Sequence, residues 1–317
     1  MSPSNPAQSS GADASFRKPD RAGTRSGLAQ VMFAAVLWGT VGVTTKSLYA
    51  LADTNPLSVG FFRLALSAPA LLITCWLALG ARMFAVARRD LSAVLAIGAM
   101  MALYQACYFA AIPRVGVTVA TLITLCVAPV IVALLSVLLM RERPTPLVGL
   151  ALACALVGTA LLINVEFTGA SRADALVGVL LALGSAAAYA ILALCSRFLA
   201  SRYHPLQPIA IGFTVGAALL FGLSEAWPGG LVMRYPTIGW LHLLYLGLVP
   251  TALGYFVFLA GMRTTPATVA TIATLVEPLT SALLAWLLFD ERLGSSGWLG
   301  AALLLGAMTM LYRNGRR

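Results

Sequence analysis

AIPRVGVTVATLITLCVAPVIVALLSVLLMRER, from Ala111 to Arg143, has a second copy in AGMRTTPATVATIATLVEPLTSALLAWLLFDER, from Ala260 to Arg292. Arg114 and Arg263 stand 149 positions apart, and so do Pro129 and Pro278, and Glu142 and Glu291. A local one-residue shift brings Val-Ala-Thr at 119–121 onto Val-Ala-Thr at 269–271. Each copy is a threonine-dotted apolar helix, broken near its middle by proline and closed by Glu-Arg. A repeat at this spacing in so apolar a chain points to duplicated membrane halves.

Composition places the chain in the same class. Of its 317 residues 60% are hydrophobic and 10% charged, with mean hydropathy +0.90. A soluble domain carries about 25% charged residues, so there is too little polar surface here to cover a water-soluble globule. Charges fall in clusters between apolar runs of about 18–25 residues, the length a helix needs to cross hydrocarbon. The net charge of +10 does not indicate nucleic acid, because the basic residues sit at helix ends and in short loops, where they write orientation. The five cysteines, at 75, 107, 126, 154 and 195, lie inside apolar spans with no CxxC pair. They read as small packing residues, and neither a metal nor a cofactor is expected.

Along the chain, residues 1–26 are rich in Ser, Pro, Ala, Gly and charge and read as a disordered cytoplasmic tail. The apolar run from about Gly27 is too long for a signal peptide. Ten helices are predicted, at about 28–50, 57–79, 91–112, 117–140, 146–163, 175–199, 207–224, 238–262, 267–289 and 295–312. Prolines at 56, 144, 146, 205, 236 and 266 mark helix starts, where a missing N–H costs little. The halves are 27–164 and 175–313, joined by a linker at 165–174. With both termini in the cytoplasm, fifteen Lys and Arg fall inside and four outside, which follows the positive-inside rule. Five helices per half then invert the second half relative to the first. That arrangement lets one midplane site be reached from either side, the physical argument for a transporter.

Leu37-Trp38-Gly39, Arg63, Pro129 with Glu142-Arg143, and Glu277-Pro278 with Asp290-Glu291-Arg292, in this order across two five-helix halves, resemble the drug/metabolite transporter superfamily in its EamA branch. The resemblance spans about residues 28–313. Within the family the chain resembles the YddG-type aromatic amino acid exporters most. This resemblance implies an all-α bundle of ten transmembrane helices as two inverted five-helix repeats, with helices 1–4 and 6–9 around a central cavity and helices 5 and 10 peripheral. It also implies efflux of amino acids or other small metabolites through a bacterial-type inner membrane.

Few residues can carry chemistry. Glu277, about ten residues into helix 9, places a costly carboxylate near mid-bilayer; it titrates or contacts an amine, or else only fixes the kink at Pro278. That proline should free the Thr274 carbonyl. Ala128 stands at the equivalent place in helix 4. Thr268, Thr271, Thr274 and Glu277 form one stripe, and Thr118, Thr121 and Thr124 another. These threonines either wall a polar cavity or pack helices closely, with Thr121 and Thr274 the candidates for the cavity. Tyr104, Gln105 and Tyr108 in helix 3, Trp38 in helix 1, Tyr189 in helix 6 and Tyr255 in helix 8 place aromatic rings at mid-depth, for a partly apolar solute or for ordinary packing. Arg63 lies about 9 Å inside helix 2; it attracts a substrate carboxylate or pairs with Asp53 or a helix-end carbonyl. Lys46 is close enough to its helix end to snorkel. His242, Trp227, Trp240 and Trp298 read as interfacial. Glu142-Arg143 and Asp290-Glu291-Arg292 are expected to pair locally.

No GxxxxGK[ST] loop, HExxH or nucleophile elbow is present, so neither ATP-driven transport nor these enzyme classes are indicated. The reading is a secondary exporter, not an enzyme, with a small-molecule substrate, the lipid bilayer and protons as candidate partners and no nucleic acid. Transport of nucleotide sugars, purines or cationic drugs, or a membrane role without transport, are the alternatives.

Overall fold

A computed structural model of the chain describes residues 21–140, 146–163, 171–226, 229–265, 269–270 and 273–314. Among these residues the structure is all helical. Helix α1 spans Arg21–Leu51, α2 Pro56–Leu79, α3 Leu91–Met140, α4 Pro146–Ile163, α5 Arg172–Leu199 and α6 Leu206–Ala226. Then follow α7 at Thr237–Leu246, α8 at Gly254–Met262, α9 at Val276–Phe289 and α10 at Ser295–Asn314. Asn55 starts α2 by accepting from the Ser58 N–H at 2.8 Å, ahead of Pro56 at the first helical position. Ser171 starts α5 by accepting from the Asp174 N–H. Both are side-chain caps for donors that a helix start leaves free.

Two boundaries differ from the sequence reading. The tail was expected to run to residue 26, but α1 already begins at Arg21. Nothing in 21–26 breaks a helix, so the apolar run that follows extends back through them. Helix 9 was expected as one piece over 267–289. Residues 274–275 instead form a turn, and α9 starts at Val276. Pro278 has no N–H to give the Thr274 carbonyl, but that carbonyl is not left free: it accepts from the Glu277 N–H at 3.0 Å in a tightened turn.

At 50 residues α3 would be about 75 Å long if straight, more than twice the hydrocarbon thickness. It is not straight. Gly116 has φ 78 and ψ 167, open to glycine and strained for any other residue. Tyr108 Oη and Thr121 Oγ1 lie 2.8 Å apart, although thirteen straight helical positions would separate them by about 20 Å. The helix therefore folds back at Gly116, in the gap expected between 112 and 117.

The helices pack along one another as α3 with α5, α2 with α6, and α1 with α8 and α9. Small residues allow close crossings: a Cβ on Gly98 of α3 would meet Val215 at 2.7 Å and the Gly212 carbonyl of α6 at 2.8 Å. Helices α4 and α10 pack chiefly on each other and against α3. Among the described residues six helical segments are long and apolar enough to cross a membrane. The bundle's outer surface carries Leu77, Phe84 and Trp298, each two-thirds or more exposed. In water that face would be costly, whereas in lipid it is the solvated surface.

Candidate functional site

Between α7 and α8 the chain is wound as a π-helix over Gly247–Leu253, containing Pro250. The wide turn lets the Thr251 hydroxyl donate to the Leu246 carbonyl five residues back, at 2.7 Å. Its oxygen is thereby free to accept from Arg63 Nε of α2 at 2.8 Å. Arg63 Nη1 donates to Gln105 Oε1 on the first arm of α3 at 3.1 Å. Arg63 and Gln105 are buried, 6% and 0% exposed. The expected alternatives for Arg63, Asp53 or a helix-end carbonyl, are not its partners; the neutral side chains of Thr251 and Gln105 are, with Tyr104 beside them. A charge this deep is held by hydrogen bonds but not neutralised by them.

These residues wall a cavity of about 560 Å³. All nine residues singled out from the sequence line it: Trp38, Arg63, Tyr104, Tyr108, Thr121, Tyr189, Tyr255, Thr274 and Glu277. Tyr104 stacks on Tyr108 with centroids 6.2 Å apart and meets Tyr189 at 5.5 Å. Trp38 packs on Tyr255 at 5.2 Å and on Phe258 at 5.1 Å. Thr121 bridges Tyr108 and Ser281, at 2.8 and 3.1 Å. The Glu277 carboxylate stands in the first turn of α9, within electrostatic reach of Arg63. Among the described residues it enters no ion pair. Thr124 lines the cavity too, while Thr118 does not. Thr268 and Thr271, like Glu142 and Arg143, lie outside the described residues.

The cavity has two unlike ends. Toward one it reaches Ile97, Met262 and the exposed Arg197. Beyond the other, past Thr121 and outside the lining, stands Glu291, whose expected local pairing is not what forms. Its carboxylate accepts from Lys46 Nζ at 2.7 Å, the Val117 N–H at 3.0 Å, and the Thr118 N–H and hydroxyl at 3.1 Å each. Glu291 thus caps the second arm of α3 from across the bundle. Lys46 does not snorkel; it lies over the Phe289 ring at 4.5 Å and pairs with Glu291. Burial alone would raise the Glu291 carboxyl. The Lys46 ammonium and the two N–H groups more than offset it and hold the group below its ordinary 4.5. Gly116 belongs to this cluster, since a Cβ there would lie 3.1 Å from the Glu291 carboxylate. Asp290 and Arg292 do pair locally, at 2.7 Å. A wider groove of about 870 Å³ near Asp53 and Arg114 is open at the surface and holds none of the nine residues.

Sequence reasoning left out Thr251, Ser281 and Phe258 and named Gln105 without assigning it to the site. Pro250 ahead of Thr251, inside an apolar run, was the one local signal for the π-helical turn.

Among the described residues, helices with a lipid-suited outer surface surround a cavity of aromatic and apolar walls with a few polar side chains, the architecture of a multi-pass membrane protein. The model of the EamA-like transporter family matches it twice, over residues 25–164 and 176–313, and the chain belongs to that family. The uncharacterized transporter YwfM of Bacillus subtilis is 34% identical over 87% of this chain and 90% of its own length. The uncharacterized inner membrane transporter YicL of Salmonella typhimurium is 27% identical over 93% of this chain and 97% of its own. A solved crystal structure at 21% identity shares the fold, with a TM-score of 0.62 over 92% of this chain and 98% of that one.

Proposed function

We propose that the chain is a secondary exporter of amino acids, aromatic ones included, or related small metabolites, working by alternating access. In this reading ten crossings form two inverted five-helix repeats, both termini lie in the cytoplasm, and the cavity is the transport site. One observation carries it: one cavity holds Arg63 from the first half and Glu277 from the second, neither in an ion pair among the described residues, among stacked aromatic rings. Separated charges of both signs with apolar walls suit a small zwitterion carrying an apolar side chain. The double match to the family's model supports the two halves, and the loop charges support the orientation.

The Glu291–Lys46 end then faces outward and the Arg197 end inward, so this conformation is closed outside. Alternation would open the Glu291 cluster while the Arg197 end closes. Glu277 suits proton exchange or amine contact equally. Counterflow in proteoliposomes tests the reading. Saturable uptake of labelled phenylalanine that depends on phenylalanine preloading is expected. Uptake dependent only on preloaded nucleotide sugars, purines or organic cations would refute the amino acid reading, and absence of flux with every solute would refute transport.

A further inference from the structure

Two buried donors in the cavity wall have no acceptor among the described residues: Gln105 Nε2 and Trp38 Nε1. The orientation of Gln105 is set by Arg63. Because Oε1 accepts from Arg63 Nη1, the amide must offer its NH₂ elsewhere. An unpaired buried donor costs about 1–3 kcal/mol; one of these belongs to the side chain that holds the Arg63 guanidinium, the other packs against Gly254, and among the described residues Arg63 enters no ion pair. We propose that Arg63, Gln105 and Trp38 form a donor cradle for a carboxylate of the transported solute, with Glu277 taking the solute's cationic group.

The inference rests on the cavity being the transport site, and it assigns the solute's chemistry there. All four side chains line the same cavity. Tyr104 lies within electrostatic reach of both Arg63 and Glu277 and so stands near both charges. The two charges do not pair with each other, although direct pairing would satisfy both. A ligand with one carboxylate and one ammonium pairs each of them and leaves neither charge unanswered. A nucleotide sugar brings surplus negative charge to a cavity whose one buried cation is Arg63, the other lining cation, Arg197, standing exposed at its end. An organic cation leaves Arg63 and both orphan donors unanswered. Sugar hydroxyls would accept from the donors without neutralising the guanidinium. In a site of low dielectric such mismatches are costly. A carboxylate supplies several acceptor lone pairs together with a single opposite charge.

The test uses the full chain, purified in detergent, and three probes: L-phenylalanine, phenethylamine, which lacks the carboxylate, and 3-phenylpropionate, which lacks the ammonium. Binding is read from ligand-dependent thermal stabilisation of the native protein and of Gln105→Met and Trp38→Phe. Unliganded melting reports whether each variant is folded, and Trp38→Phe keeps the ring while removing only the N–H. The expected result is that each substitution weakens phenylalanine about tenfold or more and leaves phenethylamine within twofold. Equal weakening of both ligands, or of neither, overturns the cradle. Binding of 3-phenylpropionate alone, weakened by Gln105→Met, keeps the cradle and overturns the amino acid reading. No binding of any probe by the folded native protein overturns both.

Discussion

Removing the Glu291 carboxylate should loosen one end of the bundle by a calculable amount. The group receives four hydrogen bonds from the first half of the chain, two of them helix N–H groups. A lost N-cap costs about 1 kcal/mol and up to about 2. The ion pair adds about 1 kcal/mol after discounting for Lys46, whose side chain is 32% exposed. Glu291→Ala should therefore cost about 2–3 kcal/mol, and Glu291→Gln, which can still accept from the N–H groups, about 1 kcal/mol. At about 2 °C per kcal/mol for a chain of this size, the Tm falls by about 4–6 °C for Ala and about 2 °C for Gln. The assay is thermal unfolding of the detergent-purified protein. The pH dependence has a definite sign. The folded pKa is held below the ordinary 4.5, so the contribution is present above 4.5 and lost as pH falls through the lower, folded value. The gap in Tm between native protein and Glu291→Ala should narrow in that acid range. An Ala variant within 1 °C of native at neutral pH, or a gap unchanged in acid, would refute this account of the cluster.

Other expectations follow from the same geometry. Glu277→Gln should reduce counterflow about tenfold or more with little change in Tm, because among the described residues that carboxylate holds no ion pair. Unchanged flux would remove it from the site. Thr251→Val takes the acceptor from Arg63 Nε and leaves a buried charged donor unpaired; a loss of about 2 kcal/mol in stability with reduced flux is expected in melting and counterflow assays. Gly116→Ala combines a strained φ with a Cβ 3.1 Å from the Glu291 carboxylate and should cost about 1–3 kcal/mol. Asp90, 2% exposed, accepts from Arg202 and Tyr203. Asp90→Ala should cost about 2 kcal/mol, since Tyr203 loses a partner while Arg202, 37% exposed, turns to solvent, and Asp174→Ala, at an exposed cap, should cost about 1 kcal/mol or less.

What could be read in advance follows from the range of the forces involved. Helix positions were legible because apolar runs, prolines and caps act over a few residues. The hairpin between 112 and 117 was legible for the same reason, since Pro113 and Gly116 both sit there. The nine cavity residues were found because polar or aromatic groups inside apolar helices are costly and therefore few. Partnerships were harder. Lys46 and Glu291 are 245 positions apart, and Arg63 and Thr251 are 188 apart; no local pattern announces such a contact. The π-helical turn was missed because apolar periodicity does not separate it from α-helix, and the early start of α1 because polar residues can extend a helix that apolar ones establish.

The placement of Arg63 and Glu277 on different halves bears on how such a chain could arise. In the proposed inverted arrangement, two identical first halves would place two buried arginines in the shared cavity and no acid, and two identical second halves two buried acids with only the exposed Arg197 as cation. Each would bury like charges face to face. A cavity with one buried charge of each sign needs the copies to differ, and copies joined in one chain can diverge position by position without mispairing. On the proposed reading, fusion of the halves came before, or together with, the choice of a solute bearing two opposite charges.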